Sequence, residues 1–434
     1  MDWREKYKDK IVSIEDALKL VKSGDSVTTS FVNGIPYTVL DKLYDRFDEL
    51  DDVEIAIALA VKGMRLFLPK AGEKFRLKSN FLGPIEREFK KRGTNIQFAP
   101  IHLSRIPQDR LEIHRPDMAV MAASPPDEDG YVSFGAWPMD AKIMDVRDVI
   151  IQVNENIPYI KGEGMQIKLD DATCIVDLTE SLVTVDPAPP SEEEKKIAGH
   201  IMDYVVDGAC IQLGIGGLAN AVGTFLKEKK ELGIHTEMFV ESMIDLIESG
   251  AVTNSRKNID TGKTIIGFGM GSQRMYDFLD HNEDIETRSF SYVNNPAVIG
   301  EIDNFVSINA ALAVDLTGQC FSEALGFRQF SGSGGQVDFS RGAWNSKNGK
   351  VFICTPSTLK KKDGTLLSKI VLLPEPGSIV TTPRTDVMYV VTEYGVADLR
   401  NETIENRARR LIEIAHPDFR EELASQAKEH GLIY

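Results

Sequence analysis

The sequence predicts an α/β protein made of two similar α/β domains with largely parallel sheets. Strand-like and helix-like segments alternate over most of the chain, an order that lays helices over a parallel sheet. A segment of the first half returns in approximate form in the second. A proline-rich stretch lies between the two.

The alternation begins with Ser13 to Lys22, an amphipathic helix with Ser13 as N-cap and Glu15 and Asp16 in its first turn, closed by Gly24. Ser26 to Phe31 follows as a β-run. After the Gly34-Ile35-Pro36 turn, Tyr37 to Phe47 reads as a helix and Val53 to Ala60 as a buried strand. The repeat aligns Lys22–Ala58 with Val206–Val240, each running helix end, glycine, β-run, glycine turn, helix, charged loop, β-run. Gly24 matches Gly208, and a small gap carries Val53 onto His235.

Pro187, Pro189 and Pro190 cannot stand inside a helix, so residues 185–194 read as a linker. Ser191 with Glu194 is a capping box that opens the next helix. The expected division is residues 1–188 and 189–434.

Composition narrows the function. A chain of 434 residues with 42% apolar and 27% charged residues has the balance of a globular protein. Its formal net charge of −16 lacks the basic footprint that nucleic acid or an anionic membrane surface requires, so neither is expected as a partner. A local pocket can still be basic and take a small anion. Met1 to Lys6 is charged and carries no apolar signal core, and no apolar run is long enough to span a membrane. Cys174, Cys210, Cys320 and Cys354 form no C-x-x-C pair and sit in apolar runs, as buried thiols of a reducing compartment do. A cytoplasmic protein without a metal centre is expected, since the seven histidines are scattered and no Cys/His cluster occurs.

Four segments could carry chemistry. Gln212-Leu213-Gly214-Ile215-Gly216-Gly217 joins a β-run to a helix, where backbone N–H groups can approach a phosphate or a developing oxyanion. Ala219 occupies the place of the third glycine of a dinucleotide fingerprint, and tight strand-to-helix packing explains the glycines equally well. In Gly233–Glu241, Glu237 sits among apolar neighbours, where desolvation would suit a general base or nucleophile. A solvated strand-end carboxylate is the alternative, and Glu241 is a rival. Ser331-Gly332-Ser333-Gly334-Gly335 is a loop able to wrap a ligand, with Asp338 in a capping or pairing role just beyond it. Lys360-Lys361-Lys362 is either solvated surface or a phosphate contact. Gly267–Ser272 links a strand to a helix and reads as turn geometry. There is no G-x-S-x-G elbow, and Gly262-Lys263-Thr264 lacks the upstream glycine of a P-loop.

These motifs resemble the acetyl-CoA hydrolase/transferase family, specifically its short-chain CoA-transferases. The resemblance runs nearly end to end, through SPPDEDGYVSFG (124–135), QLGIGGLANAV (212–222), LGIHTEMF (232–239), NNPAVIGEIDNFVSINAALAVDLTGQ (294–319), SGSGGQVDFSRGA (331–343), VTEYGVADLR (391–400) and IAHPDFREEL (414–423). It implies two α/β domains with the active site in the cleft between them. It implies an enzyme that moves CoA between an acyl-CoA and a free acid such as acetate, butyrate or 4-hydroxybutyrate. Glu237 would be the covalent nucleophile, passing through an acyl–glutamyl anhydride to a glutamyl–CoA thioester with ping-pong kinetics.

The same resemblance assigns CoA contacts to Gln212, Leu213, Gly214, Ile215, Gly216, Leu312, Gly334, Gly335 and Lys360. CoA is then a substrate, no prosthetic group is needed, and a homo-oligomer, dimer or tetramer, is expected. An acyl-CoA hydrolase using the same glutamate is the alternative. One departure stands beside the nucleophile: Val240-Glu241-Ser242 occurs where many members continue with a small residue and Asp-Gly.

Overall fold

The computed structural model describes residues 2–214 and 216–434. The chain forms two compact units: residues 2–185 with Ile265–Tyr292, and Asp186–Thr264 with Val293–Tyr434. Residues 265–292, which a single cut near 190 leaves with the second half, pack with the first unit. There Asn33 donates to Tyr276 Oη at 3.1 Å, and the Asp280 carboxylate accepts the Tyr159 backbone N–H at 2.6 Å.

In the first unit, strands β1 (Ser26–Phe31), β2 (Val53–Ala58), β3 (Phe75–Ser79), β4 (Ile96–Phe98), β5 (Met118–Ala123), β6 (Asp148–Val153) and β7 (Cys174–Asp177) form one parallel sheet. Their order is β4-β3-β2-β1-β5-β6-β7. β5 is buried on both faces, as a central parallel strand should be. Met118 and Val120 enter one core with Val27 and Ile55, while Ala119 and Met121 enter another with Ile151 and Val153.

Several elements are shorter than their periodicity suggests. Helix α1 (Ile14–Leu18) has the expected Ser13 cap, which accepts from Asp16 N–H at 3.0 Å, but stops at Leu18 rather than Lys22. Helix α2 (Tyr37–Lys42) tightens into a 3₁₀ turn over Leu43–Arg46. β2 ends at Ala58 instead of Ala60 because Leu59 turns out of the sheet at φ +50°. Helix α3 (Pro84–Lys91) covers the next crossover.

The second unit opens with α4 (Glu192–Met202), whose capping box is complete. Ser191 Oγ accepts Glu194 N–H at 3.2 Å, and the Glu194 carboxylate accepts Ser191 N–H at 2.8 Å. Strands β8 (Cys210–Leu213), β9 (Gly233–Phe239), β10 (Phe305–Ala310), β11 (Lys350–Cys354) and β12 (Tyr389–Thr392) run parallel in the order β9-β8-β10-β11-β12. β13 (Gly395–Asp398) adds antiparallel to β12.

The helices of this unit are α5 (Gly217–Leu226), α6 (Glu241–Glu248), α7 (Pro296–Glu301), α8 (Gln336–Asn345), α9 (Ile404–Glu413) and α10 (Pro417–Glu429). Both units share a local plan. The strand after the repeated glycine is flanked by the next strand on one side and a later one on the other, and Gly24 and Gly208 take matching left-handed conformations, φ +82° and +77°. In such sheets the order reverses at that first strand, and ligands bind off the carboxyl ends at the reversal. In the second unit that point lies at the ends of β8 and β10.

Among the described residues no helix is long and apolar enough to cross a membrane, and no group of three His, Cys, Asp or Glu side chains could hold a metal ion. All four cysteines are free and buried.

Candidate active site

Glu237 lies near the end of β9. Six of the strand's seven residues are buried, and Glu237 alone keeps part of its surface accessible. The strand is braced from behind. Asn254 Oδ1 accepts Ile234 N–H at 2.9 Å, and the buried Lys257 ammonium donates to the Ile234 carbonyl at 3.2 Å and the Lys263 carbonyl at 2.7 Å. These polar contacts hold the first residues of the strand that carries Glu237.

Three groups from two elements converge on the carboxylate. Asn294, fully buried just before α7, donates from Nδ2 to Glu237 Oε2 at 2.7 Å. Gly335 is the N-cap of α8 and offers its backbone N–H to the same carboxylate. A Cβ at Gly335 would overlap both Glu237 Oε2 and Asn294 Nδ2, so only glycine leaves room. Asp338, buried in the first turn of α8, places a second negative charge nearby. α7 and α8 are locked together where Gly342 receives Ile299, a contact a Cβ would block.

These surroundings pull on the Glu237 proton in opposite directions. Burial disfavours the charged form most strongly and Asp338 adds to it, while Asn294 and the Gly335 amide favour the carboxylate. The pKa is pushed up to about 7. A desolvated carboxylate that is still partly ionised at neutral pH and reachable from outside is equipped to act as a nucleophile or base.

β8 runs beside β9, pairing Ile211 with Ile234, so the turn after β8 leaves the sheet at the level of Glu237. Gln212 and Leu213 are buried in β8. The Gln212 side chain is engaged within the sheet: its Oε1 accepts from Ser307 Oγ at 2.8 Å and Asn309 Nδ2 at 3.1 Å, and its Nε2 donates to Asn309 Oδ1 at 3.2 Å. Gly214 N–H donates to the Ile308 carbonyl at 2.8 Å, and Gly216, at φ +96°, caps α5. Ile215 lies outside the described residues.

Gly334, at φ +54°, immediately precedes the Gly335 cap and so belongs to the Glu237 neighbourhood. Leu312 is half-buried after β10, its N–H donating to the Phe321 carbonyl at 2.8 Å. Lys360 is exposed on a separate hairpin, opposite Leu366, and is not part of the hydrogen-bonded group around Glu237. Glu241 opens α6, where an acidic side chain suits the helix N-terminus. Val240 is its buried N-cap, and Ser242 packs where a Cβ at Gly223 of α5 would overlap it. The Val240–Ser242 departure is thereby accommodated as helix packing.

Sequence reasoning did not single out Asn294. The Asn-Asn-Pro run signals a helix start, and Asn295 does cap α7 by accepting Ala297 N–H at 2.9 Å. Nothing in that run points to a carboxylate 57 residues away.

The chain is similar to known proteins over nearly its whole length. The family model described as acetyl-CoA hydrolase/transferase N-terminal domain matches residues 1–206, and the corresponding C-terminal domain matches 271–427. A 4-hydroxybutyrate coenzyme A transferase of Clostridium kluyveri is 39% identical over 432 residues, 99% of this chain and 100% of that one. A succinyl-CoA:cyclohexane-1-carboxylate CoA transferase of Geobacter metallireducens is 41% identical over 434 residues, covering 99% and 98%. The crystal structure of RipA from Yersinia pestis superposes with a TM-score of 0.92 at 35% identity, over all of both chains. The two domain models in sequence order, the near-complete relatives and the shared fold make this chain a member of the acetyl-CoA hydrolase/transferase family.

Proposed function

We propose that the protein is a CoA-transferase that passes coenzyme A from a short-chain acyl-CoA to a free carboxylate, with acetate, butyrate and 4-hydroxybutyrate as the candidate acids. The observation that carries the reading is the Glu237 carboxylate, desolvated, tethered through Oε2 and set at the N-terminus of α8.

With Oε2 held by Asn294, we assign the attack to Oε1. It adds to the thioester carbonyl, the C–S bond breaks, and CoA leaves as thiolate from an acyl–glutamyl anhydride. The thiolate attacks the glutamyl carbonyl, releasing the first acid and leaving a glutamyl–CoA thioester. An acceptor carboxylate then reverses both steps. Each intermediate keeps the energy of the thioester, so neither ATP nor a prosthetic group enters the balance.

Two properties of the chain serve this chemistry. Partial desolvation strengthens a weak carboxylate nucleophile. The Gly335 amide at the start of α8 already reaches the carboxylate on which negative charge develops, the role of an oxyanion donor. We assign the CoA contacts to Gln212–Gly216, Leu312, Gly334, Gly335 and Lys360, and expect a cytoplasmic homodimer or homotetramer.

Brief incubation with butyryl-CoA followed by borohydride tests the mechanism. A glutamyl thioester is reduced to an alcohol, and peptide mapping should place that loss of mass at Glu237. An unmodified Glu237, or a Glu237→Ala protein that retains turnover, defeats the reading. CoA transfer that requires added carboxylate marks a transferase, whereas turnover without one marks a hydrolase.

A further inference from the structure

His235 is fully buried two residues before Glu237 on β9, so both side chains leave the same face of the strand. Its Nε2 lies 2.8 Å from the carbonyl oxygen of Val293. A carbonyl can only accept, so Nε2 carries the proton and the ring is the Nε2–H tautomer when neutral. Burial holds the imidazole neutral by pushing its pKa down to about 4. The ring is wedged edge-to-face against Phe305 of β10, centroids 6.1 Å apart.

Val293 is the residue before Asn294. The segment therefore crosses β9 with two parallel contacts: Val293 carbonyl on His235, Asn294 amide on Glu237. On its far side the segment is fixed by the Asn295 cap and Pro296 at the first turn of α7.

We infer that His235 is a positioning residue, resting on the reading of Glu237 as nucleophile. By holding the Val293 carbonyl it sets the backbone from which Asn294 reaches Glu237 Oε2, and so fixes which carboxylate oxygen is tethered and which attacks. A buried histidine here is more than filler, because an apolar ring of similar size would leave the Val293 carbonyl without this donor and the Asn294 backbone without its upstream anchor.

The test uses His235→Phe, which keeps a ring but loses the donor, and His235→Gln, whose amide nitrogen can stand in for Nε2. His235→Phe should lose roughly 10-fold or more in kcat with the KM for acyl-CoA within about 2-fold. His235→Gln should recover most of the lost rate. Wild-type kcat in His235→Phe, or equal damage to kcat and KM in both variants, overturns the inference. Where His235→Phe does not fold, ¹⁵N-histidine NMR of the unsubstituted protein decides: a neutral Nε2–H ring supports it and an Nδ1–H ring overturns it. Glu237→Ala separates the two readings. If that variant retains turnover, the nucleophile assignment fails; if it is inactive while His235→Phe is not, only the positioning role fails.

Discussion

Asn294 Nδ2 and Glu237 Oε2 stand 2.7 Å apart, so a carboxylate on one strand is oriented by an amide that arrives from a different crossover. A hydrogen bond to a charged group contributes about 1.5–3 kcal/mol. Asn294→Ala should therefore lower kcat by roughly 10- to 100-fold. Because this contact favours the ionised form, its removal should also move the acidic limb of the pH–rate profile to higher pH.

Asp338 acts with the opposite sign. Its charge raises the Glu237 pKa. In the unsubstituted enzyme the rate of the first half-reaction should rise with pH through about 7, as Glu237 ionises. Asp338→Asn should shift that rise to lower pH, and a profile of kcat/KM against pH reads it directly.

The same proton links activity to stability. The folded-state pKa of Glu237, about 7, lies above the ordinary glutamate value. Its contribution is thus fully favourable below the unfolded pKa near 4.5 and is lost as pH rises through about 7. Glu237→Gln should be more stable than the unsubstituted protein at pH 8, by roughly 1–3 kcal/mol after allowing for the remaining solvent access, and nearly equal to it at pH 4.5. Thermal melts at the two pH values give the comparison.

Gly335 has ordinary backbone angles, φ −98° and ψ 7°, which alanine can adopt. What it lacks is space, since a Cβ would overlap both members of the Glu237–Asn294 pair. Gly335→Ala should fold, by circular dichroism, and lose on the order of 100-fold or more in kcat through misplacement of the carboxylate.

Lys360 stands exposed on its hairpin beside Lys361 and Lys362. A phosphate contact made there binds ground state and transition state alike. Lys360→Ala should raise the KM for acyl-CoA several-fold with kcat nearly unchanged, and the difference should shrink as salt is added.

Much of the framework was legible because it is local. The Ser191–Glu194 capping box, β1 and the matching glycines 24 and 208 are each specified within a few residues. Helix lengths were less so: α1 stops short at Leu18 although the amphipathic pattern runs on to Lys22. Glu237 stood out through its motif, since as an isolated residue it differs little from any strand-end glutamate. Asn294 and the His235–Val293 contact were invisible because they pair segments 57 and 58 residues apart, and single-sequence periodicity carries no record of such pairings. The place of residues 265–292 was hidden for the same reason: a strand, turn and helix look alike whichever core they serve.

That placement has a consequence for how the protein is made. The first unit includes residues 265–292, so at the ribosome residues 2–185 emerge without the stretch that supplies Tyr276 to Asn33 and Asp280 to Tyr159. At about 5–20 residues per second, residues 186–292 take roughly 5–20 s to synthesise. During that interval the nascent N-terminal unit is an unfinished folding intermediate, with apolar surface awaiting its last segment, and chaperone dependence in expression should concentrate there rather than in the C-terminal half.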